Sequence, residues 1–391
     1  MNTYPTSIQD FQDIVADFQA SDRYRAPLVY AVGRRVATRN GTVASVRFPF
    51  VNGNSQNTGT AAILMKVLGV KPEGVQSVVL QSGMIHDILD HFEPFKNDGK
   101  RHDNLELLKW AQHATASVRG STVATFIFDN VAPQGVDDAT LRLYALSNRL
   151  YKPRELNLDG IFKVLPKVTW VGDTPMDEGE VDNALLAAAF DGPKYVPSAV
   201  DKFPLYIHRI NAAKMGVRIC DQYAVRLGAY LSEGTVVMYG GYINFNAGTL
   251  GASMVEGLIA SSAVVGAGSD IGNGAKTIGV LSGGNDVPIS IGRNCLLELN
   301  STLGIPIGDA TIIAAGVAVL AGSLVRVGVE GHPKNGETVK AAELSGISAA
   351  TFRRNDKDGV LEVVRMERNE KFARKLADGE DILNADLHQK V

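Results

Sequence analysis

Aliphatic residues return at every sixth position over the second half of the chain. Ile219, Val225, Leu231, Val237 and Ile243 share one six-residue register, which resumes at Ile259, Val265 and Ile271. It returns at Ile291, Leu297 and Leu303, then at Ile307, Ile313, Val319 and Val325. A helix requires a period near 3.6 and an isolated strand a period of 2, so neither accounts for six. A hexapeptide β-helix does, because each six-residue segment forms one short side of a coil and turns one aliphatic side chain inward. Residues 217–324 supply 108 positions, or eighteen hexads, which predict six turns at three hexads per triangular turn. A polar, glycine-rich insertion near Ser282 to Pro288 interrupts the register, and such breaks project as loops where function often sits. The coil buries its own stack but leaves flat outer faces, so packing of three coils side by side as a homotrimer is expected.

Upstream, the pattern is that of mixed helices and strands. Residues 7–20 read as a helix capped by Ser7, with Ile8, Phe11, Val15 and Phe18 on one face. Strands are predicted at Val43 to Phe50, Val75 to Gln81 and Thr122 to Phe128, and helices at Thr60 to Leu68, Ile85 to Phe92 and Asp103 to Thr115. Asp137 to Tyr151 follows as a helix ended by Pro153, with Leu143, Leu146 and Leu150 aligned. A strand near Val168 to Val171 and an alanine-rich helix at Glu178 to Phe190 precede an extended connector, Lys194 to Pro204. The resulting division is an N-terminal α/β accessory domain at 1–130, an α/β linking domain at 131–215, the β-helix at 216–326 and a C-terminal extension at 327–391.

Composition narrows the function classes. A chain of 391 residues with 45% hydrophobic and 21% charged residues has the make-up of an ordinary globular protein. Its net charge of −3 gives no basic footprint for nucleic acid, so any anionic ligand has to be met by a local cluster of Lys and Arg. Cys220 and Cys295 are far apart and outside any CxxC, so they read as small apolar residues rather than a zinc or disulfide framework. No basic leader and no stretch of 18 apolar residues occurs, which makes a cytoplasmic enzyme or binding protein, with no membrane partner, the default expectation. His86, Asp87, Asp90 and His91 form i,i+4 pairs compatible with a metal, but without HExxH spacing a solvated helix face is the simpler reading.

Several strings carry a resemblance. RLYALSNRLYKPRELNLDGIF, VDKFP, GVRICDQYAVRLGAYLSEGTVVM, INFNAGTLGASMVEG, VVGAGSDIGNGA, LSGGN, ISIGRNCLL, LGIPIGD, KAAELSG, FRRN and LNADLH occur in this order. Together they resemble the tetrahydrodipicolinate N-succinyltransferase family, in particular its longer form from actinobacteria and pseudomonads. The likeness covers roughly residues 139–388 and leaves residues 1–130 outside. It implies a trimeric left-handed parallel β-helix that moves succinyl from succinyl-CoA, as co-substrate, to the amino group of ring-opened tetrahydrodipicolinate in lysine and diaminopimelate biosynthesis. Such chemistry needs a base or nucleophile, a backbone donor for the oxyanion, and cations for carboxylates and CoA phosphates. By this resemblance Glu256 is the catalytic glutamate, as an acyl-anhydride nucleophile or as a base for the amine, and the Gly279 N–H stabilises the oxyanion. Lys340, Arg353, Arg354 and Asn355 fall on positions that hold CoA, with Ala315 and Gly322 completing the expected set.

The departures from the family pattern cluster around the acyl donor. His-Glu-Gly-Phe is replaced by Tyr239, Gly240, Gly241 and Tyr242, and an aspartate by Tyr223, so no metal is expected near the trimer axis. The arginine that follows Glu-Gly is Leu258, which lacks every donor of a guanidinium. Gly-Gly-Gly-Ala-Ser becomes Gly272, Asn273, Gly274, Ala275 and Lys276; Gly-Ala-Asn becomes Glu298, Leu299 and Asn300; Glu-Ala-Gly becomes Ala314, Ala315 and Gly316. Three readings follow: the family's reaction with Lys276 supplying the lost positive charge in the donor site, a paralogue with another acyl group such as acetyl or another amine, and a catalytically silent trimer partner.

Overall fold

The computed structural model describes residues 4–53, 56–96, 98–114, 120–192, 197–279 and 287–386. The chain forms two compact units, one of Met1–Leu150 with Leu156–Pro204, the other of Tyr151–Glu155 with Leu205–Val391. LSGGN, most of the predicted insertion at 282–288 and the last two residues of LNADLH lie outside the described residues.

The first unit is built on an antiparallel sheet. In chain order its elements are α1 (Ile8–Gln19), β1 (Val29–Ala37), β2 (Val43–Arg47), β3 (Asn52–Gly53), α2 (Thr58–Leu68), β4 (Val75–Val79), α3 (Ser82–His91), α4 (Asp103–His113), β5 (Thr122–Ile127) and α5 (Val136–Ser147). The strands run β2-β1-β5-β4, with β3 on β1. Ser7 caps α1 through a reciprocal pair, its Oγ accepting from the Asp10 N–H while the Asp10 carboxylate accepts from the Ser7 N–H. Phe11, Val15 and Phe18 then join Ile63, Ile88 and Leu108 against Tyr30, Val32, Phe126 and Phe128 of the sheet. Ile8, expected on that face, is 41% exposed in the first turn.

The central strand β1 went unpredicted because Gly33, Arg34 and Arg35 interrupt its apolar run. Gly33 is required there: a Cβ would lie 2.5 Å from the Arg47 carbonyl oxygen and from the Phe48 ring. Helix α5 stops at Ser147 rather than at Pro153, and every one of its residues after Val136 is buried, so a single aligned face understates its packing. Its buried Asp138 and Arg142 lie 3.5 Å apart, and Arg35 pairs with Asp137. A short helix α6 (Ile161–Val164), the strands β6 (Val168–Val171), β7 (Thr174–Met176) and β8 (Ala199–Asp201), and helix α7 (Glu178–Asp191) complete the unit.

The second unit is the coil. Two-residue parallel strands form three sheets whose inward residues stack rung on rung. On the first face the column is Ile219, Val237, Val255, Ile271, Leu297 and Ile313; on the second it is Val225, Ile243, Ile259, Thr277, Leu303 and Val319. The third face stacks Leu231, Thr249, Val265, Ile291 and Ile307. All of these except Ile219 are at most 3% exposed. The period of six thus marks the inward positions, as the sequence pattern requires.

The count of eighteen equal hexads needs correction. Along the first face the rungs are 18, 18, 16, 26 and 16 residues apart, from Ile219 to Ile313. Two corners are two residues short, Val255 to Ile259 and Leu303 to Ile307, and the step from Thr277 to Ile291 takes fourteen residues. Beyond the coil, strands Leu324–Gly328, Thr338–Lys340, Thr351–Arg354 and Leu361–Val364 extend the first-face sheet. The last helix, α8 (Glu367–Ala377), lays Phe372 on Leu296 and Ile312.

Truncating one rung of this stack removes transfer energy and leaves a cavity with little room to relax. Leu297→Ala is therefore expected to lower unfolding free energy by about 2–5 kcal/mol, measured by denaturant titration. A loss below about 1 kcal/mol would contradict a rigid internal column.

Candidate active site

Glu256 sits at the short corner between the first and second faces. The inward residues flanking it, Val255 and Ile259, are four apart, whereas the other corners on that edge keep six. Gly257 makes the tight passage possible: a Cβ there would lie 2.2 Å from the Ala275 carbonyl oxygen and 2.9 Å from that of Gly272. The Glu256 N–H is tied to the Ile271 carbonyl at 2.8 Å. Its side chain is half-buried and, among the described residues, has no ion-pair or hydrogen-bond partner. The adjacency of a fixed backbone and an unengaged carboxylate suits an acid–base or nucleophilic group.

The same edge collects most of the departures noted in the sequence. Tyr223, Gly240, Asn273, Asn300 and Ala315 all lie in successive turns between the first and second faces. Left-handed backbone marks the turns at Gly240 (φ 88°), Gly274 (69°), Asn300 (55°) and Gly316 (70°). Tyr239 is 71% and Leu299 53% exposed, so the edge presents rings and aliphatic groups beside Glu256. Glu298 accepts from the Ala315 N–H at 3.1 Å and ion-pairs with Arg368 of α8 at 2.6 Å. Ala315 therefore spends its backbone donor inside the protein.

On the second face the residue before each inward one points outward. Tyr242, Leu258, Lys276, Thr302 and Ala318 form this outward ladder. Lys276 is the rung beside Leu258, so its backbone lies about 4.8 Å along the coil from the position where the resemblance leads one to expect arginine. Both side chains are exposed, and Lys276 makes no ion pair among the described residues.

Gly279 is buried two residues beyond Thr277, on the edge between the second and third faces. By register it stands above the turn at Ser261, about five strand residues across the face from the Glu256 edge, roughly 15 Å. The two residues expected to act together are thus not brought together within one coil.

Gly322 and Lys340 do meet. Leu324 pairs with Lys340, and the Ala341 and Ala342 N–H groups bond the Ser323 and Ala321 carbonyls beside Gly322. Gly322 has nothing within 4 Å of a built Cβ, so this turn lies open next to an exposed lysine. Arg353 and Asn355 are placed differently from the expectation. Both turn onto Glu362, at 3.0 and 2.9 Å, and Arg326 reaches the same carboxylate at 2.8 Å and Asp358 at 2.7 Å. Burial pushes the Glu362 carboxyl up, but the hydrogen bonds from Arg326, Asn355 and Arg353 together hold it below the usual range. Arg354 is exposed and bonds only the Gly359 carbonyl among the described residues. Arg326 was missed because a lone arginine among valines, in LVRVG, gives no signal without its partners.

The helical His86/His91 set takes no part. His86 Nδ1 contacts the Ser82 carbonyl and Nε2 meets Gln112, while His91 is buried against the Asp87 carbonyl. Among the described residues no three His, Cys, Asp or Glu groups gather as a metal cluster. Cys295 is buried, which pushes its thiol up to about 12, and Cys220 is half-buried near the Met238 sulfur.

Glu362 carries a depressed pKa, so its contribution to stability is present above the ordinary glutamate range and lost as pH falls through its folded value. Glu362→Gln is expected to cost about 1–3 kcal/mol at pH 7 and to flatten the acid limb of the stability curve. A variant whose stability equals that of the native chain at every pH from 3 to 7 would contradict this hub, as read by thermal unfolding at about half-unit steps.

Comparison with known proteins agrees with this architecture. Residues 9–163 match the family model "Tetrahydrodipicolinate N-succinyltransferase N-terminal", and residues 288–321 match "Hexapeptide repeat of succinyl-transferase". The N-terminal region, left outside the sequence resemblance, is therefore part of it. A 2,3,4,5-tetrahydropyridine-2,6-dicarboxylate N-succinyltransferase from Nitratiruptor sp. is 37% identical over 94% of this chain and 98% of its own length. The protein of that name from Pseudomonas aeruginosa is 42% identical, over 61% of this chain and 69% of its own. A Campylobacter jejuni crystal structure, described as a 2,3,4,5-tetrahydropyridine-2-carboxylate N-succinyltransferase, superposes with a TM-score of 0.85 at 32% identity, covering 94% of this chain and 99% of that one. With relatives matched end to end and an N-terminal region shared with them, the chain belongs to the tetrahydropyridine-dicarboxylate N-succinyltransferase family.

Proposed function

We propose that the chain transfers succinyl from succinyl-CoA to the amino group of ring-opened tetrahydrodipicolinate, in diaminopimelate and lysine biosynthesis, as a cytoplasmic homotrimer of left-handed β-helices. The observation that carries this reading is Glu256: an unengaged, half-buried carboxylate at the one short corner on its edge, within a full-length match to the family. In the reaction the thioester C–S bond breaks, an amide C–N bond forms, and CoA leaves as the thiol. Glu256 takes the proton of the attacking amine, or first forms the acyl anhydride; both fit its position. Gly279 supplies the oxyanion donor. Because the two stand at opposite edges of one face, the working pair is Glu256 of one coil and Gly279 of its neighbour. The functional division is an N-terminal α/β part at 1–130, a linking part at 131–215, the catalytic coil at 216–326 and a CoA-binding extension at 327–391.

The cation assignment shifts with the geometry. Lys340, beside the open turn at Gly322, and Arg354 meet the CoA phosphates, while Arg353 and Asn355 set the hairpin through Glu362. Lys276, one rung from Leu258, meets the distal carboxylate of the succinyl group. This reading requires no metal, since Tyr223 and Gly240 carry no carboxylate. A second reading uses an acetyl donor, and the exposed Leu258 favours it, because an acetyl group has no distal carboxylate to bind.

Thiol release from succinyl-CoA and acetyl-CoA, with 2-aminopimelate as acceptor, separates the two donors. A preference for succinyl-CoA supports the first reading and a preference for acetyl-CoA the second; no turnover with either defeats both. Glu256→Gln should reduce kcat by at least about 100-fold without changing the oligomer, and full activity in that variant removes Glu256 from the chemistry. Lys276→Met is expected to raise KM for succinyl-CoA about tenfold more than KM for acetyl-CoA, and equal effects would contradict a carboxylate contact.

A further inference from the structure

The recess at Glu256 is made by the lengths of three successive corners. Between paired strand residues on this edge the chain spends four residues from Val237 to Tyr242, two from Val255 to Leu258 and four from Ile271 to Lys276. The lower and upper corners therefore close as turns, the Gly241 N–H donating to the Met238 carbonyl and the Ala275 N–H to the Gly272 carbonyl, each at 3.0 Å. The corner between them is too short for such a turn, so Glu256 and Gly257 form the floor of a gap one turn high. Asn273 belongs to the corner above that gap and Gly240 to the corner below.

Asn273 leans into the gap. A Cβ built on Gly240, at φ 88°, would meet Asn273 Nδ2 at 3.1 Å and the Glu256 carbonyl oxygen at 3.5 Å. The carboxamide thus reaches from the upper corner to the lower one across the Glu256 backbone, and the bare glycine leaves room for it. Its own backbone is held from the turn above, where the Asn300 N–H donates to the Asn273 carbonyl at 3.0 Å. The residue is exposed, and its side chain makes no hydrogen bond among the described residues. Asparagines that serve the fold of this unit spend their amides on chain oxygens: Asn294 donates to the Glu380 carbonyl at 2.9 Å and Asn369 to the Ala310 carbonyl at 3.0 Å. Asn273 is held in place with both ends of its amide unspent, next to the carboxylate assigned to the chemistry.

The amine of the acyl acceptor has to lie within hydrogen-bond reach of Glu256 to lose its proton, so a group in the same recess touches the atoms next to that amine. In an α-amino acid those atoms include a carboxylate. A carboxamide matches the pair, since Nδ2 donates and Oδ1 accepts. We propose that Asn273 is the specificity residue for the acyl acceptor, holding an α-amino carboxylate across the recess with Nδ2 on the carboxylate and Oδ1 on an amine N–H. That proton stays on nitrogen and becomes the amide N–H of the product. The other amine proton goes to Glu256 as the C–N bond forms, and passes to the CoA sulfur as the C–S bond breaks. The inference rests on Glu256 acting at the amine, as proposed above, and holds for either acyl donor.

The test uses the full chain, thiol release and 2-aminopimelate as acceptor. Asn273→Ala is expected to raise KM for 2-aminopimelate about 10- to 100-fold, as for the loss of a hydrogen bond to a charged group, with kcat and KM for the acyl-CoA within about threefold of native. Asn273→Asp exchanges the donor for a negative charge. It should therefore raise KM for 2-aminopimelate about tenfold more than KM for the analogue whose α-carboxylate is a carboxamide, a difference that a merely structural role does not produce. A native KM for 2-aminopimelate in Asn273→Ala, or equal effects of Asn273→Asp on the two acceptors, overturns the inference. Calorimetric titration of 2-aminopimelate in the presence of CoA separates this result from the functional reading. If the native chain binds the acceptor but turns over neither donor, the functional reading fails, and the Kd of Asn273→Ala decides: about tenfold weaker supports the contact, unchanged refutes it. A native chain that binds no acceptor refutes it as well.

Discussion

Every turn of the coil has to land its inward residue on the one below it. Parallel backbone bonds and apolar stacking impose this together: Val255 lies on Val237 and under Ile271, and a slip of one residue would turn the whole rung outward. The faces therefore tolerate no change of length, and residues can be gained or lost only at the corners. The chain uses that freedom in three places. It shortens the corner at Glu256 and the one between Leu303 and Ile307, and it lengthens the step after Thr277. Two of those three irregularities carry the residues to which the chemistry is assigned. A coil of equal hexads would present only repeated surfaces; it is the departure from repetition that makes one carboxylate, at one height, different from the rest.

Charge is distributed with similar economy. A net charge of −3 means that anions are attracted only where cations outnumber their partners. In the C-terminal hairpin Arg326, Arg353 and Asn355 are consumed by Glu362 and Asp358, and that internal network shapes the hairpin. Of the cations assigned to the ligand, Arg354, Lys340 and, on the second face, Lys276 make no ion pair among the described residues, and they are spread along the outer surface of the unit rather than gathered in one patch. An extended ligand with separated negative groups suits that spacing better than a compact anion.

Much of this was legible beforehand, and the reason differs by element. The coil could be read because its period belongs to no other regular structure, and each predicted inward aliphatic from Val225 to Val325 is buried. Helix α1 could be read from Ser7 and its buried face. Strand β1 could not, because Gly33 is there for the close approach of the Arg47 carbonyl and the Phe48 ring, a tertiary reason invisible along the chain. The equal six-residue spacing failed for a related cause, although six rungs are present as expected: removal of two residues at a corner leaves the local pattern intact and is visible only when rungs are paired. Arg353 and Asn355 were expected to hold CoA from the family resemblance, whereas both side chains bond the buried Glu362, which lies beyond the turn and leaves no trace in the string FRRN.

The central claim is that the reacting centre is shared between coils, with Glu256 from one and the Gly279 N–H from another. Subunit complementation measures this directly. Chains inactivated by Glu256→Gln are mixed, under conditions that exchange subunits, with chains whose donor N–H is removed by Gly279→Pro, and thiol release from succinyl-CoA is followed. A shared centre predicts that two inactive preparations regain activity on mixing, because some interfaces then unite a native Glu256 with a native Gly279. Mixed oligomers that form and stay inactive would contradict it.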